Sequence, residues 1–210
     1  MYKKLSFVLL LLFFANHNYA QEDSTFKIAF GSCGHQNDSL SIFYDIVKHQ
    51  PDIFVFLGDN IYGDTESMDT LSSKYEQLAK KPSYQHLKEN VEIIATWDDH
   101  DYGWNDAGRN YKFKKESKEI FLEFFEEPDT STRRTHEGIY HSYEFVNNGK
   151  KIQIILLDGR TFRDDLKEYG GEFKNDHRYF YKLYYSPHPD STYPTLLGEE
   201  QWKWLEKELK

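Results

Sequence analysis

The run Ile53-Phe54-Val55-Phe56-Leu57, leading straight into Gly58-Asp59, constrains the fold more than any other stretch of this chain. Five consecutive apolar residues leave no polar face, so a strand here must be covered on both sides, as in the parallel sheets of α/β proteins. The chain then passes through Asp59-Asn60-Ile61-Tyr62-Gly63-Asp64. Ligands gather at the carboxyl ends of strands in open α/β sheets, which places Asp59, Asn60, Tyr62 and Asp64 to offer oxygen atoms to a crevice. For this stretch alone, a chemically idle polar turn is the simpler alternative. Repetition weighs against it. Residues 27–31 run into Ser32-Cys33, residues 91–97 into Asp98-Asp99-His100-Asp101, and residues 152–157 into Asp158-Gly159-Arg160.

Between these strands the pattern alternates with helical segments. Asp38 is positioned as an N-cap for a helix to about His49, with Ile42, Phe43, Ile46 and Val47 on one face and Pro51 as the stop. Residues 68–90 are polar and helix-prone, interrupted at Pro82. Strands alternating with helices predict an α/β fold with a largely parallel sheet. Residues 98–111 are too polar and glycine-bearing for regular structure and read as an active-site loop. Residues 112–126 form a helix whose apolar set is Phe113, Ile120, Phe121, Phe124 and Phe125; an aromatic stripe at that spacing is core. Asn147-Asn148-Gly149 between two β-prone runs signals a hairpin. The tyrosine-rich stretch 168–195 lacks periodicity and reads as a lid or substrate wall. Residues 198–210 are a helix expected to turn Trp202, Leu205 and Leu209 inward.

The first twenty residues read as a signal peptide, with Lys3 and Lys4 before an apolar run and a small-residue cleavage site ending at Ala20. The apolar run is shorter than the roughly 20 residues that span a bilayer, so no stable membrane anchor is expected. Residues 21–210 then form one domain, in a periplasm or outside the cell. Removing Lys3 and Lys4 takes the net charge from −9 to −11, since residues 1–20 hold no Asp or Glu. An acidic chain without a basic run repels polyanions, so no nucleic-acid partner is expected. Carboxylates gathered at strand ends repel one another unless cations neutralise them, and metal ions are the usual solution.

Cys33 is the one cysteine, which excludes an intramolecular disulfide. A buried inert thiol is one reading; a soft metal ligand in the layer of Asp59 is the other. Asp59, Tyr62 and Cys33 together offer carboxylate, phenolate and thiolate, a set of anionic donors better suited to iron than to zinc. His100 can be a ligand or a general acid. A cysteine-nucleophile hydrolase built on Cys33 and His100 leaves the carboxylates without a role.

Five segments carry a resemblance: 30–33, 57–62, 97–103 with Asn105-Asp106, 157–164 and 197–205. On these the chain resembles the PhoD-like alkaline phosphatases, a branch of the calcineurin-like metallophosphoesterases, over nearly all of residues 27–210. The resemblance implies a metallophosphoesterase-type β-sandwich flanked by helices and a hydrolase that cleaves phosphate esters, small molecules or phospholipids, with a metal-activated water. It implies Cys33 and Tyr62 as ligands of Fe(III), Asp59 as the bridge to a divalent ion, calcium in many of this branch, and Asp99 as a ligand of that second ion. His100 takes the place of the histidine near the leaving-group oxygen. Arg160, or Arg163, matches an arginine that contacts phosphate, against the alternative of a surface pair with Asp164 and Asp165. Members of the family continue into a Gly-Asp-x-His segment that this sequence lacks, so a truncation at the C-terminus is expected. The alternative function is a non-catalytic relative that binds metal or phosphate.

Overall fold

The computed structural model describes residues 25–164 and 195–210, together with the backbone of 167–168 and 183–184. Three parallel strands, β1 (Ile28–Gly31), β2 (Ile53–Leu57) and β3 (Glu92–Thr96), lie in the order β1-β2-β3. Ile53 of β2 aligns with Ile28 of β1 and Glu92 of β3. All but the last residue of β2 are buried, which is why that strand tolerates no polar side chain. Helix α1 (Ile42–Lys48) connects β1 to β2, and α2 (Met68–Ala79) and α3 (Pro82–Asn90) connect β2 to β3. Pro82 opens α3, where its missing N–H costs nothing, so one helix-prone stretch becomes two helices.

Side chains alternate across the sheet. Phe54, Phe56 and Ala95 join Phe43, Leu71, Tyr75, Leu78, Tyr84, Leu87 and Phe121 in a large aromatic core under the helices, among them α5 (Lys114–Phe124). On the opposite face Ile53, Val55 and Ile94 meet Leu156, Ile154, Tyr143 and Phe145. Those four belong to an antiparallel hairpin, β4 (His141–Asn147) and β5 (Lys150–Leu156), turned at Asn148-Gly149 as the sequence signals. Short strands β6 (Lys167–Glu168) and β7 (Leu183–Tyr184) pair antiparallel, and α6 (Gly198–Glu208) follows. The molecule is thus mixed α/β, with helices on one face of the parallel sheet and the hairpin on the other. No described helix is long and apolar enough to cross a membrane. The expected lid or substrate wall at 168–195 lies largely outside the described residues.

Three local expectations change. Helix α1 begins at Ile42 rather than behind Asp38, and Ile42 is exposed while Phe43 turns into the core. The expected loop at 98–111 opens with a short helix, α4 (Asp99–Tyr102), stabilised because the Asp101 carboxylate accepts the Asp98 N–H. In α6, Trp202 is 55 % and Leu209 68 % exposed, whereas Gln201 is fully buried. The carboxamide of Gln201 decides the helix's rotation: it accepts the Asp158 N–H at 2.8 Å and donates to the Asp158 carbonyl at 2.9 Å and to that of Leu197 at 3.1 Å. A paired buried amide outweighs the apolar count, because an unpaired one costs about 1–3 kcal/mol.

Candidate metal centre

Strands β2 and β3 run parallel and end level, Leu57 beside Thr96, so the residues after each strand emerge together. Gly58 makes the exit possible. It holds φ +107°, and a Cβ there would stand 2.6 Å from the Asp98 Cβ and 2.7 Å from its backbone nitrogen. Asp59 and Cys33 follow in left-handed conformations, φ 51° and 60°. The two loops are laced together: the Cys33 N–H donates to the Gly58 carbonyl and the Gly34 N–H to that of Asp59. The buried Gln36 amide exchanges two hydrogen bonds with the Tyr62 backbone.

These constraints bring Asp59, Asp99 and His100 into one group, each offering a ligand atom within 4.8 Å of the others. The Cys33 Sγ lies 3.5 Å from Asp59 Oδ2, on an exposed edge of the cluster. Tyr62 stacks between two imidazoles, 4.8 Å from His35 and 4.3 Å from His100 by ring centroids. Arg160 reaches in from the loop after β5, pairing with Asp98 through Nε and with Asp99 Oδ1 through Nη2 at 3.1 Å. Cys33, Asp59, Tyr62, Asp99, His100 and Arg160 therefore share one crevice. Arg163 does not point there. Its Nη2 donates to the carbonyls of Asp106 and Ala107, and Asp164 pairs with Arg109 at 2.6 Å.

The charges are unbalanced in a way that invites a cation. Burial raises the Asp59 carboxyl above its ordinary range, and the neighbouring charges of Asp99 and Asp98 raise it further. Burial, the phenol's own hydrogen bond to Cys33 and the charges of Cys33, Asp59 and Asp99 push the Tyr62 phenol up to about 12. Burial works against ionisation of Asp99 too, but the Asp106 N–H, 2.7 Å from its Oδ2, and the Arg160 charge outweigh it and hold the carboxyl low. Asp59 Oδ1 is buried with no hydrogen-bond partner among the described residues, and so is Arg160 Nη1. Buried polar atoms without partners are uncommon in a folded interior and mark places where ligands complete the hydrogen bonding.

Sequence reasoning grouped Asp98, Asp99, His100 and Asp101 as one acidic run; the fold separates them. Asp101 is fully buried, and it receives the N–H groups of Asn60, Ile61 and Asp98 and the Tyr75 hydroxyl. Burial pushes it up to about 7, against the pull of the backbone donor of Asp98. It is a bracket between the two strand ends, not a ligand. Asp158 plays the same part behind Arg160, accepting the N–H groups of Ile139, Arg160 and Thr161 and the Thr161 hydroxyl. Asp64 was legible only as one more loop oxygen. Its Oδ1 accepts a 2.6 Å hydrogen bond from His100 Nδ1, which leaves Nε2 as the outward nitrogen of the ring. Burial lowers the His100 pKa, but the Asp64 hydrogen bond and the charges of Asp64, Asp99 and Asp59 more than reverse this and raise it.

The PhoD-like phosphatase family model matches residues 28–210. The chain belongs to the PhoD-like phosphatase family. A solved structure described as "Structure of PhoD" superposes with a TM-score of 0.63 at 17% identity, over 88% of this chain and 39% of that one. The shared fold of this PhoD-like chain thus spans about two fifths of the solved protein's length. No curated protein matches it.

Proposed function

We propose that this PhoD-like chain builds the site of a metal-dependent phosphate-ester hydrolase, a phosphomonoesterase or phosphodiesterase acting outside the cytoplasm. One observation carries the reading: Asp59, Asp99 and His100 converge within 4.8 Å at adjacent strand ends, with a buried Asp59 oxygen that has no partner among the described residues. The residues present fit a pair of ions. Cys33, Asp59 and Tyr62 would hold Fe(III), and Asp59 and Asp99 would hold a divalent ion, which we assign as calcium on its preference for oxygen donors. When bound, such ions supply Lewis acidity that brings the pKa of water near neutrality and offset charge on the phosphoryl oxygens.

The chain's own groups do the rest. Arg160 Nη1, buried and without a partner among the described residues, can donate to a phosphoryl oxygen, while Nε and Nη2 stay on Asp98 and Asp99 and fix the guanidinium plane. His100, held by Asp64 through Nδ1, carries a proton on Nε2 that it can give to the departing alkoxide. Tyr62 and His35 wall the same crevice with ring faces that exclude water from one side. Substrates of this class are phosphate esters of small molecules or phospholipids. Export after loss of residues 1–20, and membership of the calcineurin-like superfamily with its β-sandwich, complete the reading.

The test is hydrolysis of p-nitrophenyl phosphate and of the bis-ester by the protein supplied with iron and calcium. Turnover is expected, and Asp59→Asn should lower it at least about 100-fold by removing the shared carboxylate. Absence of hydrolysis of either ester under every combination of these metals overturns the proposal.

A further inference from the structure

A second concave site lies on α5, with chemistry opposite to that of the acidic crevice. A cavity of about 550 Å³ is lined by Lys114, Lys115, Lys118, Arg134, His136 and Thr161, with Glu119, Glu137 and Gly138. Lys114, Lys115, Lys118 and Arg134 line it with Glu119 and Glu137, in a chain whose net charge is −9. Cations gathered in a concave, low-dielectric wall attract anions where their pairing is incomplete.

Pairing within the cavity is incomplete. Lys114 meets Glu137 at 2.6 Å, and Arg134 meets Glu123 at 3.1 Å, Glu119 at 3.5 Å and Asp129 at 3.7 Å, which leaves Lys115 and Lys118 as the cations to be matched. Lys118 has no carboxylate partner among the described residues. It is 8 % exposed, and one N–H of its ammonium donates to the His136 carbonyl. Burial lowers its pKa, outweighing the opposing charges of Glu119 and Asp158. Lys114, Lys115 and Lys118 occupy positions i, i+1 and i+4 of one helix, so two like-charge pairs at i,i+3 and i,i+4 spacing destabilise α5 unless something offsets them. His136 supplies shape rather than charge: its ring stacks on Tyr140 at 4.1 Å and its Nδ1 donates to the Glu137 carbonyl.

We infer that this cavity is a binding site for a small molecule bearing a phosphate or pyrophosphate group, with Lys118 as the buried counter-charge and Lys115 closing over the anion from the rim. Its volume lies within the 300–1,000 Å³ range of small-molecule pockets, so an organic moiety can accompany the anion. Lysines act here as point charges toward phosphate oxygens. The lining of the cavity shares no residue with the acidic crevice, so the site stands or falls separately from the hydrolase reading.

The experiment is calorimetric titration of the full chain with pyrophosphate and, separately, with citrate, after metals are removed on a chelating resin so that no soluble chelator competes. Pyrophosphate is expected to bind one to one. Lys118→Met, which keeps the apolar stem, should weaken it at least tenfold; Lys115→Glu, on an exposed position that cannot disturb folding, should weaken it about fivefold; Arg160→Gln in the other crevice should leave it unchanged. Lys118→Arg, which keeps the charge, should retain most of the affinity and serves if the Met variant fails to fold. Binding of citrate but not pyrophosphate overturns the phosphate assignment. No binding, or binding lost in Arg160→Gln and kept in both lysine variants, overturns the site.

Discussion

His100 is useful as an acid only while it keeps its proton, and Asp64 is what lets it do so. The 2.6 Å contact is the largest of the influences that raise the imidazole, ahead of the charges of Asp64, Asp99 and Asp59. Asp64→Asn should therefore lower the His100 pKa in the metal-free protein, read by NMR titration of the ring protons; an unchanged titration would show that the pair is incidental. The sign for stability follows. A histidine whose folded pKa is raised contributes stability that is full below its ordinary value and is lost as pH rises through the folded value. The Asn variant should thus be less stable than the parent at acidic pH and equal to it at alkaline pH, with a gap kept small because Asp64 is partly exposed and screened. Tyr62 offers a second test at this scale. Its phenol stays protonated in the metal-free chain, pushed up to about 12 by burial and the anions around it. Binding of ferric iron should produce a visible spectrum to which phenolate-to-iron charge transfer contributes, and Tyr62→Phe should remove that contribution while leaving any absorption from Cys33 thiolate. A visible spectrum unchanged in the variant would exclude Tyr62 as a ligand.

At the scale of elements, Arg133 joins the layers. It is 1 % exposed and donates to the carbonyls of Ile139 and Ala95, to the Tyr143 hydroxyl and to Glu127, with its guanidinium 5.6 Å over the Phe121 ring. One side chain thereby ties β3, β4, α5 and the 3₁₀ turn Thr132–Arg134 together. Arg133→Met keeps the volume but leaves Glu127, which is 8 % exposed, as an uncompensated buried charge. Such a loss costs about 3–5 kcal/mol. Chemical denaturation should show a drop of that size, whereas Arg134→Met, in a largely solvent-facing network, should cost less than about 1 kcal/mol. Equal effects of the two substitutions would remove Arg133 from its place as a tie.

Across the whole molecule, the charge at the strand ends makes stability depend on cations. Asp59, Asp98 and Asp99 share one crevice, with Arg160 as the cation paired to two of them. A metal bound only by the folded state stabilises it by about 2.7 kcal/mol at one hundred times its dissociation constant. For a chain of this length that corresponds to a rise of about 5–10 °C in Tm. Iron and calcium together should raise the midpoint in the parent protein and not in Asp59→Asn, measured by differential scanning fluorimetry; an equal rise in both would place the metal elsewhere. The outer face of β1 is a separate feature. Phe30 is 69 % and Ile28 42 % exposed, although they align with the covered Val55 and Ile53 of the next strand, because the β4–β5 hairpin reaches β2 and β3 but not β1.

The sequence by itself determined the strands and the chemistry at their ends, because both are local. An unbroken apolar run is a doubly covered strand, Asn148-Gly149 turns tightly, and Gly58 before Asp59 gives the backbone its exit at φ +107°, where a side chain would meet Asp98. Cys33, Asp59, Tyr62, Asp99, His100 and Arg160 were legible as candidates on the same grounds. Which carboxylate does what was not. Asp99 and Asp101 are two residues apart on one short helix, yet one faces the crevice and the other is fully buried under four donors, a distinction made by the loops and helix that meet there. The rotation of α6 was likewise fixed by Gln201 finding Asp158, 43 residues away, against the local apolar pattern. The Asp64–His100 pair spans 36 residues and the basic cavity on α5 gathers residues from three segments of chain. Only tertiary structure decides these, because hydrogen bonding and burial are settled by what lies opposite a side chain, and the sequence records only what lies beside it.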